Sequence, residues 1–309
     1  MIENALAACK ILKMWYSDLG DIPRIEFSEK FNIKKSTQNK AASFLSCGID
    51  SLALLRSNKM KLPDNHPLSI SYTISVHYVG NDGIPEKEEI NQESNRKKAV
   101  LHVCRDLKVT PIFVKTNIFR LSDGWFFTDK WHSATMCSVA YLLSVYFNRV
   151  YIASSFTVPF LVPWGSHPLL DPYFSSAYLD VEHHGIEMTR IEKIKIVSEW
   201  PAGLQNILVC QGQDSGENNC GSCRKCIGVM TVLEALGKLE NCNSFPVKSV
   251  SPKLLYTLET YKMINSGSQV QFFRDMIPWL KQNHRDDLAE IIDMVIESYQ
   301  RRNRSNLIH

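Results

Sequence analysis

The stretch that decides the fold runs from residue 41 to residue 55 and reads AASFLSCGIDSLALL. Its first part, Ala-Ala-Ser-Phe-Leu-Ser, is a short apolar run of the kind that a buried parallel strand uses. Its last part begins a helix, and the polar turn between the two contains Gly48. Unpaired backbone N–H groups and the helix dipole both point at an anion bound in such a turn. The stretch therefore predicts a phosphate-binding loop at residues 46–51.

Strands and helices are predicted to alternate beyond this loop. Strands are expected at residues 69–78, 111–114 and 150–155, with helices at 86–107 and 132–147. This rhythm indicates βαβ units, and therefore an α/β fold with a parallel sheet covered on both faces. Ligands bind at the carboxyl ends of such strands. We expect polar residues at three strand ends to converge on one crevice and bind the cofactor: Ser46, Cys47, Gly48, Ile49, Asp50, Ser51, His77, Tyr78, Ser154 and Ser155.

Four of the nine cysteines are closely spaced. Cys210 is followed by the run Cys220-Gly-Ser-Cys223-Arg-Lys-Cys226. Four thiolates in this pattern can close a tetrahedral zinc site with no open position, which predicts a structural role. An iron–sulfur cluster is the alternative that the spacing leaves open. The cysteines in helical apolar patterns are expected to be core thiols instead, namely Cys9, Cys104, Cys137 and Cys242.

The loop at residues 46–51 and the four cysteines both resemble motifs of known families. The loop resembles the Ser-Gly-Gly-x-Asp-Ser signature of the PP-loop, or N-type, ATP pyrophosphatases, with Cys47 in place of the first glycine. Together with the cysteines it resembles the 7-cyano-7-deazaguanine synthase family over about residues 41–230. Thr189-Arg190-Ile191-Glu192 is similar to that family's Thr-Lys-Ala-Glu helix start. The resemblance implies a parallel-sheet adenine nucleotide alpha hydrolase-like domain that uses ATP, Mg²⁺ and Zn²⁺.

The resemblance also implies a reaction. ATP would adenylylate a carboxylate, of the 7-deazaguanine type or related, and a nitrogen nucleophile would then form an amide or nitrile with release of AMP and pyrophosphate. Ser46, Gly48 and Ser51 would hold the pyrophosphate, Asp50 would help to hold magnesium, and Arg190 would face phosphate. If the position of Cys47 needs a positive φ, a cysteine there costs of order 1 kcal/mol.

The substrate loop departs from the family pattern. The family's Tyr-Pro-Asp-Cys-Arg-Pro-Glu-Phe segment is replaced by residues 164–174, in which His167 and Asp171 are candidates for contacting a substrate or activating its nucleophile. A rigid structural turn is the alternative interpretation. We interpret His183 and His184 as part of a solvated turn rather than as a metal site.

Several functions remain open at this point. Some relatives belong to bacterial antiviral defence operons in which a deazapurine is joined to a protein, so the acceptor here could be a protein or a nucleic acid. The alternatives are tRNA thiolation, which other PP-loop enzymes perform, and a catalytically degenerate nucleotide-binding subunit of a defence complex.

Composition bounds the class of protein. With 309 residues, 44% of them hydrophobic and 22% charged, the chain matches ordinary globular proteins. A net charge of +3 neither requires nor excludes nucleic acid. The longest strongly apolar stretch, 134–147, is shorter than the ~20 residues that cross a bilayer, and no signal peptide begins the sequence. We expect no membrane contact and a cytoplasmic location.

Four segments are predicted along the chain. They are an N-terminal helical extension (1–40), the ATP-binding α/β domain (41–200), a four-cysteine zinc segment (201–230) and a C-terminal helical region (231–309). The apolar spacing of the last helices predicts packing on the core. A protein partner or a homodimer contact is the alternative use of the same helices.

Overall fold

The computed structural model describes residues 2–26, 39–79, 86–121, 127–210 and 219–305. Parts of all four predicted segments lie outside these ranges, namely residues 1, 27–38, 80–85, 122–126, 211–218 and 306–309. The chain divides into two compact units, which group residues 1–46, 54–89 and 100–187 in the first and residues 47–53, 90–99 and 188–309 in the second. The four predicted segments are a different division, along the chain, and stay a prediction.

The first unit contains one parallel sheet, which confirms the predicted α/β class. Its strands are β1 (Ala41–Phe44), β2 (Ile70–Tyr78), β3 (Thr110–Thr116), β4 (Arg149–Ala153) and β5 (Asp180–His184). Every pair of neighbouring strands is parallel, in the order β3-β2-β1-β4-β5. The strand order therefore runs in opposite directions on the two sides of β1, and sheets of this kind bind ligands at the carboxyl end of such a switch point.

Helices of this unit pack on both faces of the sheet. The helices are α1 (Ile2–Trp15), α2 (Ile49–Lys61), α3 (Glu86–Asp106) and α4 (His132–Leu142). On one face, Cys137 and Ala140 of α4 share a buried core with side chains of β1, β4 and β5. On the other face, the Cys104 sulfur of α3 lies 3.1 Å from the Thr73 hydroxyl of β2. Short 3₁₀ turns at Ile118–Leu121, Val158–Phe160 and Asp171–Phe174 and a π turn at Phe127–Trp131 connect these elements.

Two predictions in this unit are wrong in detail. The buried helix expected over 132–147 ends at Leu142; Val145 beyond it is 68% exposed, whereas Phe147 is buried in the core. His183 and His184 lie on the strand β5 rather than in a solvated turn. The sequence did not reveal this strand because Val181 is its only apolar residue.

The second unit is helical. Besides the start of α2 it contains α5 (Arg190–Ser198), α6 (Pro201–Leu204), α7 (Arg224–Ala235), α8 (Pro252–Thr260), α9 (Gly267–Gln282) and α10 (Asp286–Ser305). Helix α7 is buried along almost its whole length, since α5, α8 and α9 pack around it. Of the seven apolar positions predicted on the last helices, Met276, Leu280, Leu288, Ile292 and Val295 are buried, and Ile277 and Ile291 are half-buried. This confirms the packing interpretation, while a protein partner or homodimer stays a prediction.

The sequence predicts no membrane contact, and the lengths and hydropathy of the described helices bear on this prediction. None of the described ones combines the length and the apolar character that crossing a bilayer requires.

Candidate functional site

The predicted phosphate loop is a tight turn into α2. The carbonyl of Gly48 accepts from the backbone N–H of Leu52 and from the hydroxyl of Ser51, each at 3.0 Å, so the helix begins here. Cys47 is fully buried with φ of +60°, and its carbonyl accepts from the N–H of Leu208 at 2.8 Å. The position that the resemblance assigns to a glycine thus has left-handed backbone, at a cost of order 1 kcal/mol for a cysteine.

The carboxylate of Asp50, in the first turn of α2, is paired with two cations. Arg190 donates to its Oδ2 at 2.8 Å, and the ammonium of Lys193 lies 3.4 Å from its Oδ1. Arg190 is positioned by a capping box, in which Thr189 accepts from the N–H of Glu192 and the Glu192 carboxylate accepts from the N–H of Thr189. The structure therefore brings together two of the predicted catalytic residues, Asp50 and Arg190.

Lys193 was not among the predicted site residues. Its side chain is only 4% exposed, and a buried lysine requires compensation of its charge. It lies three residues after Arg190, and residues at this spacing share one face of a helix. That spacing was the signal in the sequence, but it identifies Lys193 only once the face that α5 turns to Asp50 is known.

The strand β4 brings two predicted cofactor-binding serines to the sheet edge. Ser154 follows β4 as Ser46 follows the neighbouring strand β1, and the register of the two strands puts them level. The Ser154 hydroxyl is buried and donates to the carbonyl of Phe156 at 2.6 Å, so it stabilises the local turn. Ser46 and Ser155 are exposed. Their part in cofactor binding stays a prediction.

The other neighbour of β1 ends with the two remaining candidates. His77 and Tyr78 are half-buried and are the last residues of β2, in register with Lys115 and Thr116 of β3. Polar residues thus follow or end three adjacent strands of the sheet at one edge.

The turn at residues 164–174 is organised around Asp171, which is fully buried. Its Oδ1 accepts from the backbone N–H of His167 at 3.0 Å, and its Oδ2 accepts from the hydroxyl of Ser166 at 2.7 Å. The same Oδ2 lies 2.8 Å from Nδ1 of His183 on β5. The hydrogen bond from the His167 N–H is what a rigid structural turn requires. The contact with His183 joins Asp171 to a strand outside the turn.

His167, the other candidate in this turn, is held on both sides of its ring. Its Nδ1 accepts from the N–H of Leu169 at 3.0 Å, and its ring packs edge-on against Trp15 of α1 with 4.8 Å between centroids. Burial, followed by the nearby His183, lowers the pKa of His167, which keeps the ring neutral at neutral pH. Trp15 belongs to the predicted N-terminal extension, and its position here was not predicted.

The four cysteines of the predicted metal site are brought together. Their sulfur atoms all lie within 4.8 Å of one another, with Cys226 3.3 Å from Cys210 and 3.9 Å from Cys220. Four sulfurs bonded at 2.3 Å to one tetrahedral ion would lie roughly 3.8 Å apart. Cys210, Cys220, Cys223 and Cys226 could therefore hold a metal ion such as zinc.

The chain was compared with known proteins and structures. Searches against protein-family models, curated proteins and solved structures each find no match to the chain. The family resemblance therefore depends on the residues quoted above.

The cysteine cluster is shaped by two residues that are not ligands. Gly221 has φ of +72°, and a Cβ there would lie 2.5 Å from the ring of Pro246, so only glycine fits the turn. Asn219 is buried beneath the cluster, where its side chain accepts from the N–H of Val209 and donates to the carbonyls of Ile207 and Ser244. Gly221 was expected to serve a turn, whereas the part of Asn219 was not predicted.

The close packing of the four sulfurs affects whether the thiols are protonated. Contacts with the sulfurs of Cys210 and Cys223 raise the pKa of Cys226, because a thiolate there would face its neighbours. A bound divalent cation reverses this preference, since the thiolate is the metal ligand. The arrangement is therefore suited to binding a cation with loss of protons.

Proposed function

We propose that this protein is an ATP-dependent enzyme of the PP-loop class that joins nitrogen to a carboxylate. In the first half of the reaction ATP would adenylylate a small carboxylate of the 7-deazaguanine type, with release of pyrophosphate. In the second half a nitrogen nucleophile would displace AMP and give an amide, or a nitrile after a second activation.

The observation that carries the proposal is the turn at residues 46–51. It leads from the buried strand β1, where the strand order changes direction, into the N-terminus of α2. Its residues match the PP-loop signature at Ser46, Gly48, Asp50 and Ser51. Backbone N–H groups at a helix start attract phosphate. Magnesium, when bound with ATP, would neutralise the phosphates near Asp50.

The cations beside Asp50 support the same proposal. Arg190 contacts the carboxylate while its side chain remains 40% exposed, so it can also meet a phosphate. Arginine binds phosphate oxygens through paired donors. We propose that Arg190 and Lys193 balance the carboxylate before ATP enters and the phosphates afterwards.

We also propose that the four cysteines hold zinc in a structural role. Sulfur distances of 3.3 and 3.9 Å favour one ion over an iron–sulfur cluster, because a cluster places several metal atoms between its thiolates. Four protein ligands leave no open position for catalysis.

Pyrophosphate release tests the proposed reaction. The protein is incubated with ATP, magnesium, ammonium and 7-carboxy-7-deazaguanine, and pyrophosphate and AMP are measured. Asp50→Asn should lower the rate at least 100-fold, whereas Asp293→Asn on the exposed side of α10 should leave it unchanged. Equal rates in the wild type and Asp50→Asn would reject the proposal.

Two features favour a second candidate, a degenerate nucleotide-binding module. Cys47 takes left-handed backbone where a glycine is expected, and Asp50 is already paired with two cations. In that case the wild type would bind ATP without turnover, and Cys47→Gly would raise turnover sharply. Robust wild-type turnover would remove this candidate.

A further inference from the structure

Helix α1 lies against the turn at residues 164–174 and buries little of its own surface there. Near its start Asn4 donates to the carbonyl of Ser175 at 3.1 Å, and at its end Trp15 packs edge-on against the ring of His167. Ala8 is the buried residue of this helix, and the others remain at least partly exposed. Segments with few buried apolar contacts open more easily than the core of a protein. Docking of α1 therefore depends on a small number of contacts.

A second group of contacts follows the end of α1 and does not respond to mild acid. The hydroxyl of Tyr16 donates to the carbonyl of Asp129 at 2.9 Å. The ammonium of Lys130 donates to Asp18 at 2.7 Å and lies 5.0 Å from the centre of the Tyr16 ring. The hydrogen bond from Lys130 lowers the pKa of Asp18, so this pair stays ionised in mildly acid solution. A response of α1 to acid must therefore come from its contact with His167.

The hydrogen bond of the His167 ring requires the neutral form. Its Nδ1 lies 3.0 Å from the backbone N–H of Leu169. A backbone N–H only donates, so Nδ1 carries the lone pair, and we assign the ring hydrogen to Nε2. Protonation adds a hydrogen to Nδ1, which then faces the N–H of Leu169 as a second donor. The charged ring therefore does not fit the position in which Trp15 packs on it.

The groups around His167 favour the neutral ring as well. Burial lowers the pKa of His167 most, and the nearby His183 of β5 lowers it further. Asp171 in the same turn acts in the opposite direction, but its carboxylate already accepts from Ser166 and from the backbone N–H of His167 and contacts His183. From α1 the ring meets Trp15, which does not titrate. Undocking of α1 removes part of the burial, so the pKa then returns towards its ordinary value of 6.5.

We propose that α1 is a strap on the turn at residues 164–174 and that protonation of His167 releases it. The docked helix requires the neutral ring, whereas the undocked helix allows either form. The docked state therefore binds the proton less tightly, so acid favours release below the ordinary histidine value, and release is independent of pH well above it. Release exposes the ring of His167 and the side of the turn on which α1 lies. This inference does not depend on the proposed reaction.

His66 provides a matched comparison within the same unit. Its Nδ1 accepts from the N–H of Leu68 at 3.1 Å, two residues further along the chain, as in His167. Its own backbone groups bond Pro63 and Ser69, in the connection that precedes β2. Because the ring of Trp15 packs on His167, substitution of His66 tests the effect of losing such a histidine without changing the contact with α1.

Hydrogen exchange of the backbone amides in the full-length protein measures release of the strap. Wild type and variants are labelled between about pH 5.5 and pH 7.5, with correction for the intrinsic pH dependence of exchange. Peptides from α1 report release, and peptides from β1 report global unfolding. His167→Asn keeps an acceptor for the N–H of Leu169 but cannot be protonated, and His167→Phe keeps a ring for Trp15. His66→Asn is the control.

We expect protection of α1 in the wild type to fall roughly three- to ten-fold from pH 7.5 to pH 5.5, because one proton changes an equilibrium by at most ten-fold per pH unit. Protection of β1 should change less than about two-fold over the same range. In both His167 variants the pH dependence of α1 should fall below about two-fold, whatever the level of protection. His66→Asn should keep the wild-type dependence.

Three results would overturn the inference. Protection of α1 that is independent of pH in the wild type would show that acid does not release the helix. A pH dependence in His167→Asn and His167→Phe equal to that of the wild type would assign the release to another group. A parallel loss of protection in α1 and β1 would show global unfolding rather than release of a strap.

Discussion

The four-cysteine cluster and the predicted phosphate loop at residues 46–51 differ in how their ionisable groups are paired. In the cluster, four groups of one kind are held with their sulfurs within 4.8 Å, and ionising them together requires a cation. In the loop, the Asp50 carboxylate already has Arg190 at 2.8 Å and Lys193 at 3.4 Å. A cation would therefore complete the cluster, whereas a metal ion approaching Asp50 would have to compete with two side chains.

The two regions should therefore differ in how much cation binding stabilises the folded chain. A cation that binds the cluster stabilises the folded chain directly, because the unfolded chain has no such site. At the loop, the same charge exchanges one set of contacts for another, so binding there is expected to depend on the ATP phosphates and to change stability little. Four changes test this contrast, and the largest effect is expected at the cluster.

Removing one thiolate should have the largest effect. Cys220→Ser leaves three sulfurs for the metal, and we expect loss of stoichiometric zinc together with a fall in the free energy of unfolding on the order of 5 kcal/mol. Elemental analysis and denaturant unfolding measure the two quantities. Cys9→Ser, a thiol of α1 outside the cluster, should change neither. A Cys220→Ser protein that keeps one zinc per chain would contradict the four-ligand site.

Neutralising Asp50 should have the next largest effect. Asp50→Asn leaves the buried ammonium of Lys193 facing an amide, and we expect a loss of about 1–3 kcal/mol, reduced because Arg190 stays 40% exposed. The combined change Asp50→Asn and Lys193→Met should regain at least half of that loss. Urea unfolding of the single and double variants provides the measurement. A double variant less stable than Asp50→Asn would show that Lys193 is held by other contacts.

Cys104 is a buried thiol outside the four-cysteine cluster, and its ionisation provides a comparison with the thiols of the cluster. Burial raises the pKa of Cys104 to about 11, from an ordinary value of 9.0. The unfolded chain therefore ionises first, so this contribution to stability is complete below pH 9 and is lost as the pH rises towards 11. Between pH 9 and pH 10 the wild type should lose about 1 kcal/mol more than Cys104→Ala. Parallel pH curves for the two proteins would refute this.

Backbone strain in the phosphate loop should give the smallest effect. Cys47→Ala and Cys47→Gly both remove the buried thiol, but only glycine adopts φ of +60° without a Cβ clash. We expect the glycine variant to be more stable than the alanine variant by roughly 0.5–1 kcal/mol, after allowing for the greater freedom of glycine in the unfolded chain. Unfolding in urea compares the two proteins. An alanine variant of equal stability would mean that the turn relaxes.

Features contained in one short stretch of sequence could be predicted, and features that depend on distant segments could not. The strand at 41–44, the turn after it and the four cysteines each lie in one short stretch, so spacing alone indicated them. Strand β5 was missed because Val181 is its only apolar residue and its remaining positions are polar. The βαβ alternation correctly indicated a parallel sheet, since each of the other strands carries several apolar residues.

The site residues show the same limit. Asp171 was identified from its polar, proline-rich turn, but its contact with His183 depends on a strand that the sequence did not reveal. Lys193 was missed since its burial depends on which face of α5 meets Asp50. Asn219 resembles any other polar loop residue until its four backbone partners are seen. Pairings between distant segments were therefore the part that could not be predicted.

The contacts of α1 have a consequence for the order of events during synthesis. Asn4 donates to the carbonyl of Ser175, 171 residues further along the chain, and Trp15 packs on His167. At about 5–20 residues per second, a ribosome needs roughly 10–35 s to make that stretch after α1 has been made. During that time the residues that Asn4 and Trp15 contact have not yet been made. The turn that carries Asp171 is therefore completed by contacts with a helix made much earlier.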